Sequence, residues 1–157
     1  LKNQKYDFTF CSRMDQEPLI DFIPVARQEL VVIVPPDHPL SDRTEIRLSE
    51  TLDYPQILFS RRSGLRPMID KLFLACGKQP DCIFEIDEDQ TIAGFVANGF
   101  GIAVVPNMPI LTNMHLKVIH ITEANWERRF YIAYLKNRYR TPLAEEFLSY
   151  VKSHALI

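Results

Sequence analysis

The residues best equipped for chemistry sit in three short stretches. Ser60-Arg61-Arg62-Ser63-Gly64 lies between an apolar run and a helical pattern. Backbone N–H groups at a helix start, with the dipole behind them, favour an anion there. Arg61 or Arg62 can add charge-assisted bonds to a carboxylate or phosphate, although two solvated loop arginines would satisfy the same letters. Asp87-Glu88-Asp89-Gln90 opens the next helical pattern. Asp87 and Gln90 have capping-box spacing, and three acids in one turn would repel a bound anion. The two loops therefore argue in opposite directions about the charge of a ligand. Cys11-Ser12 follows the first strand pattern, where α/β proteins collect ligand contacts at carboxyl strand ends. A polar turn leaving a sheet is the alternative for that pair.

Nothing in the chain assembles a catalytic set. His38 stands between Asp37 and Pro39 without a Cys or second His at metal spacing, and His115, His120 and His154 are scattered. A structural turn is the reading for His38, and no metal or cofactor is expected. The carboxylates Asp7, Glu17, Asp21 and Glu85 have no spacing that pairs them. No Ser/His/Asp order, phosphate-cradling glycine loop or dinucleotide fingerprint occurs. An enzyme built on this chain would lack a nucleophile or an acid/base pair.

The elements that must position these loops follow from hydrophobic periodicity. Strands are predicted at Tyr6–Phe10, Leu30–Val34, Ile57–Phe59, Cys82–Ile86, Ile102–Val105, Leu116–Ile121 and Phe130–Leu135. The β-branched run Leu30–Val34 suits a strand covered on both faces. Leu65, Met68, Ile69, Leu72, Phe73 and Cys76 mark one helix face, stopped by Gly77. Ile92, Phe95 and Val96 mark a second, ended by Gly99. Thr141 as N-cap with Pro142 opens a third, with Leu143, Phe147 and Val151 along one side. Strand and helix alternate from Pro55 to Val105, which implies right-handed βαβ crossovers and a mostly parallel sheet.

Composition bounds the function further. The chain has 157 residues, 46% hydrophobic and 24% charged, with a formal net charge of -2. No basic stripe is present, so a bare DNA-binding role is disfavoured. Three cysteines, Cys11, Cys76 and Cys82, are an odd number without CxxC spacing. Reduced thiols in a cytosol are the simpler reading, with Cys76 and Cys82 as small buried hydrophobes. There is no long apolar run that would suggest a membrane span.

Three segments in order resemble the effector-binding domain of LysR-type transcription regulators. They are Val34-Pro35-Pro36-Asp37-His38-Pro39-Leu40-Ser41 after an apolar strand, Phe95 to Pro106 as helix, glycines and strand, and Phe130 to Arg140 before Thr141-Pro142. The resemblance implies a two-lobe α/β fold like type II periplasmic binding proteins, joined by two crossing strands, with the effector in the cleft between lobes. The first lobe is expected to comprise 1–33 with 131–157, and the second 34–130. Family members carry a strand, helix and strand before the position of Leu1, and a helix-turn-helix domain before those, so the first lobe is expected to be partial. The expected effector contacts are Cys11, Ser12, Ser60, Arg61, Ser63, Gly64, Asp89 and Gln90. The implied function is small-molecule sensing in the cytoplasm, with no membrane partner and with DNA contacted only through the helix-turn-helix domain. The full-length protein is expected to be a homodimer or tetramer, with the helix Leu65–Cys76 and the strand Cys82–Ile86 at an interface. A solute-binding protein of a transporter is the alternative on the same plan.

Overall fold

Leu30, Val31, Val32, Ile33 and Val34 are sealed from solvent, none more than 1% exposed. Such burial requires neighbours on both edges and cover on both faces. The computed structural model describes residues 1, 3, 5–13, 17–123 and 127–155. The chain order is β1 (Thr9–Cys11), β2 (Ile20–Val34), β3 (Glu45–Ile46), β4 (Gln56–Phe59), α1 (Arg66–Ala75), β5 (Cys82–Ile86), α2 (Asp89–Ala97), β6 (Ala103–Pro106), β7 (Lys117–Ile121), β8 (Glu127–Leu135) and α3 (Pro142–Ser153). Two compact units result, Leu1–Gln28 with Glu127–Ile157, and Glu29–Trp126.

In the second unit the latter part of β2 is central. It pairs antiparallel with β6 (Val32↔Val104) and with β7 (Val32↔Ile119). β3 joins β7 in parallel. β4 and β5 form a parallel pair, and β4 meets β6 through one parallel bridge, Gln56↔Ile102. β5 and β6 thus flank β4 on opposite sides, and the strand order reverses at β4. Ligands of open α/β sheets bind outside carboxyl strand ends at such a reversal. The expectation of a mostly parallel sheet needs correction here. The alternation from Pro55 to Val105 does produce parallel β4, β5 and β6, but β2 runs antiparallel to both its neighbours. A run buried on both faces records cover, and cover does not fix strand direction.

The helices close the core as their patterns require, with corrections at the start of α2 and on the buried face of α3. Ile69 and Phe73 of α1 are buried, with Met68, Leu72 and Cys76 partly buried beside them. α2 ends in a Schellman arrangement, with Gly99 N–H donating to Val96 O, Phe100 N–H to Phe95 O, and Gly99 at φ 79°. At its start, however, Glu88 is the N-cap and makes no side-chain cap bond. The Asp87/Gln90 capping box is not formed, because the Asp87 carboxylate is held by other donors. Cys82 is exposed, not buried, since β5 is covered only on part of its length.

The first unit has its own small core. β1 pairs antiparallel with β8 (Thr9↔Ala133, Cys11↔Tyr131), and Val25, Ile132, Tyr134 and Leu148 pack together with Phe8 and Val151 against them. Thr141 caps α3, its Oγ1 accepting the Ala144 N–H at 3.3 Å. The buried stripe of α3 is Ala144, Leu148 and Val151. Leu143, expected on that face, is 77% exposed. It stands one position before Ala144, about 100° away around a helix, so the stripe is rotated from the one predicted.

Gly101 makes the tightest backbone approach. Its φ is 153°, and a Cβ there would sit 2.9 Å from the Pro55 carbonyl oxygen, which accepts the Ile102 N–H at 3.0 Å. Gly94 lies inside α2 with open space around its Cβ position. Gly101→Ala should therefore destabilise by about 1–3 kcal/mol, while Gly94→Ala should stabilise by about 0.4–1 kcal/mol. Urea unfolding of both variants checks this, and equal effects would contradict the close approach at Gly101.

Candidate functional site

The carboxyl ends of β4 and β5 bring two of the three predicted loops together. Phe59 pairs with Ile86 at the last rung of that ladder, so the residues that follow, Ser60 and Asp87, leave the sheet side by side. The Ser60 N–H donates to Ile86 O at 2.9 Å, and the Ser60 hydroxyl donates to the Asp87 carboxylate. Arg62 reaches the same carboxylate, Nη2 to Oδ2 at 2.8 Å. Ser60's hydroxyl bond, followed by the charge and bond of Arg62, holds the Asp87 carboxyl below its ordinary value.

The loop before α1 uses its serines internally. Ser60 Oγ accepts the Arg62 N–H and Ser63 Oγ accepts the Leu65 N–H, each at 3.3 Å. Two amides expected to greet an anion are thus turned onto serine oxygens, as Ser side chains do in local turns. Arg61 is 85% exposed in its side chain, and its Nε stands 3.9 Å from Glu85 Oε1, beyond hydrogen-bond length. Gly64 is exposed and Ser63 half-buried. Asp89 accepts the N–H of Gln90 at 3.0 Å, next to it in the chain. Cys11 and Ser12 belong to the first unit, both half-buried. Cys11 lines a hollow of about 460 Å³ in that unit with Tyr6, Thr9, Ile20 and Phe22, and burial pushes its thiol up.

Sequence reasoning missed two residues of this region. Arg66 is a buried guanidinium, 8% exposed, that donates to Asp70 at 2.8 Å, to Glu85 at 2.8 Å and to the Phe59 carbonyl at 2.6 Å. Its i,i+4 spacing to Asp70 was legible on a helix. Glu85 looked unpaired because its partners come from α1 and the loop before it. Two of the other scattered carboxylates are ion-paired too, Asp7 with Arg138 at 3.2 Å and Asp21 with Lys136 at 3.7 Å. His38 is engaged within its own turn. Its Nδ1 accepts the Leu40 N–H at 3.2 Å, its ring meets Tyr54 edge-on at 4.5 Å, and burial lowers its pKa.

Comparison with known proteins identifies the family. The chain matches the LysR substrate binding domain over residues 1–156. It belongs to that family. The HTH-type transcriptional regulator YybE of Bacillus subtilis (strain 168), itself described as uncharacterized, is 36% identical over 154 residues. That match covers 98% of this chain and 53% of YybE, so the chain spans about half the length of that relative. The effector binding domain of QuiR in complex with shikimate is 39% identical, with a TM-score of 0.93 over 99% of this chain and 74% of that one. The CcmR regulatory domain of Synechocystis PCC6803 in complex with 2-PG is 25% identical, with a TM-score of 0.85 over 98% of this chain and 76% of that one. The fold class is the periplasmic-binding-protein-like α/β fold of LysR effector-binding domains, and this LysR domain is a small-molecule effector-sensing module. A transporter solute-binding protein is not favoured, because the relatives are transcription regulators. No helix among the described residues is long and apolar enough to cross a membrane.

The depressed Asp87 pKa has a definite sign. The stabilisation from its bonds is present above the ordinary carboxylate value and is lost as pH falls through the lower folded value. A carbon-13 titration of the Asp87 side chain should give a midpoint under about 3.9, and Ser60→Ala should raise it. A midpoint that ignores Ser60 would contradict the bond between them.

Proposed function

We propose that this LysR domain senses a small hydroxylated carboxylate through the loops Ser60–Gly64 and Asp87–Gln90, and that the full-length protein couples this to DNA binding through a helix-turn-helix domain. The observation that carries the reading is the polar rim at the ends of β4 and β5. There the Asp87 carboxylate can accept further hydrogen bonds from ligand hydroxyls, while the exposed Arg61 offers a guanidinium whose carboxylate neighbour, Glu85, stands 3.9 Å away. Arg62 is already matched to Asp87, so a second anionic group, beyond the one Arg61 meets, would have to displace an internal carboxylate. A ligand carrying both a carboxylate and hydroxyls uses both kinds of group without displacing either. This resolves the opposite preferences of the two loops. The complex of QuiR with shikimate, a hydroxylated cyclic acid, supports the same class.

Cys11 and Ser12 are further proposed contacts, on the strength of the family resemblance. Sensing without turnover is the reading for the chain, in a cytoplasmic regulator. Assembly through α1 and β5 fits their surfaces: Leu74 is 66% exposed, Ile83 and Phe84 are each 39% exposed, and β5 has β4 as its strand neighbour. Sedimentation of the full-length regulator should show a dimer or tetramer that Leu74→Asp weakens; unchanged assembly would remove these elements from the interface.

Calorimetry with shikimate, and with benzoate as an acid lacking hydroxyls, tests the ligand class. Shikimate should bind and benzoate should not compete measurably. Arg61→Ala should cost about 1.5–3 kcal/mol of shikimate binding, with fold stability moving by no more than about 0.5 kcal/mol. Arg62→Ala should act differently, releasing Asp87 from its cation. If Arg61→Ala, Arg62→Ala and Ser12→Ala all bind as the parent does, the assignment of these loops fails.

A further inference from the structure

The rim of the site is held by a group that does not belong to it. Arg66 sits in the first turn of α1 with its side chain 10% exposed, and its three acceptors come from three different places. Nη1 donates both to the carbonyl of Phe59, the last residue of β4, at 2.6 Å and to Oε1 of Glu85 in β5 at 2.8 Å. Nε donates to Asp70, one turn along α1, at 2.8 Å. A guanidinium is planar and its donors have fixed directions, so these acceptors are locked relative to one another. Burial would pull the Arg66 pKa down, but the bonds to Glu85 and Asp70 outweigh it and the net shift is upward.

Two consequences reach the ligand loops. Phe59 immediately precedes Ser60, and Glu85 stands two residues before Asp87, so the pin lies directly behind the hydroxyl and the carboxylate of the rim. Glu85 also lies near Arg61, at 3.9 Å, against 2.8 Å to Arg66. The closer cation satisfies Glu85 and leaves Arg61 projecting outward. Without Arg66, Glu85 would be an uncompensated carboxylate beside a long, exposed guanidinium able to fold onto it.

We propose that Arg66 is a positioning residue of the effector site: it fixes the carboxyl ends of β4 and β5 and keeps Glu85 from capturing Arg61. The ligand half of this inference rests on the reading of the site given above; the structural half does not. It contacts no ligand itself, and acts as a supporting group behind the residues that do.

The test uses the parent chain, Arg66→Met, and the double variant Arg66→Met/Glu85→Gln. The double variant removes the buried cation together with a carboxylate it neutralises, which keeps a folded comparison if the single variant proves too unstable. Amide hydrogen exchange without ligand reads the local structure. Exchange at Ser60, whose N–H donates to Ile86 O, and at Ser63, whose N–H donates to Ser60 O, should accelerate at least tenfold in both variants. Exchange at Val32 and Ile33 in the central ladder should change less than twofold in the double variant. Uniform acceleration throughout the second unit, or unchanged exchange at Ser60, would overturn the proposal and reduce Arg66 to a general stabiliser. In calorimetry, the single variant should bind shikimate at least tenfold more weakly than the parent, and unchanged affinity would overturn the proposal as well. If the parent itself does not bind shikimate, the ligand-class reading fails by itself, and the exchange result still decides whether Arg66 positions the loops.

Discussion

A strand buried on both faces must have its backbone bonds met on both edges and its side chains covered above and below. The segment Leu30–Val34 imposes that constraint on the second unit, and the rest of the unit can be read as its solution. β6 and β7 supply the two edges, both antiparallel. β4 then extends the sheet beyond β6, and β5 beyond β4. Because the connections from β4 to β5 and from β5 to β6 pass through α1 and α2, the helix starts and the carboxyl ends of these strands fall at one end of the sheet. Polar loops there are a product of topology. The apolar centre requires them to be outside it.

On the proposed reading, what those loops bind follows from how they neutralise one another. Asp87 is matched by Ser60 and Arg62, and Glu85 by Arg66. A surface ion pair contributes little to stability in water, so the exposed contacts of Asp87 are better understood as setting the polarity of the rim than as holding the fold together. The rim offers an acceptor in Asp87 and a cation in Arg61, and the serines have already turned onto loop amides. That balance favours a ligand with mixed polarity over a highly charged one. Arg66 differs from its neighbours because it is buried. Its bonds are screened least, and its removal would take a donor from the carbonyl of buried Phe59.

Much of this was legible in the letters. Apart from the short β3, the strands and helices of the second unit follow from periodicity, and Gly77, Gly99, Thr141 and Pro142 mark helix ends where they were expected. The segments around Asp37-His38-Pro39 and Phe95–Pro106 carried the LysR resemblance. Strand direction was not legible, because β-branched residues report burial and β-propensity without reporting which way the neighbour runs. The role of Asp87 was misjudged for a related reason. Its spacing to Gln90 suggested a cap, and only the fold shows Ser60 and Arg62 at closer reach. Arg66 and Glu85 are nineteen residues apart, and a pairing of that kind is created by the β4–β5 ladder. Local spacing contains no trace of it. The rotated stripe of α3 shows the same limit on a smaller scale, since Leu143 and Leu148 are equally apolar and packing chose between them.

The central claim is that the loops after β4 and β5 are where this LysR domain meets its effector. Backbone amide shift mapping of isotope-labelled protein during a shikimate titration tests it most directly. The account predicts saturable shifts concentrated at Ser60–Gly64 and Asp87–Gln90, with Val31–Val34 unmoved. Saturable binding whose shifts leave both loops untouched would contradict it.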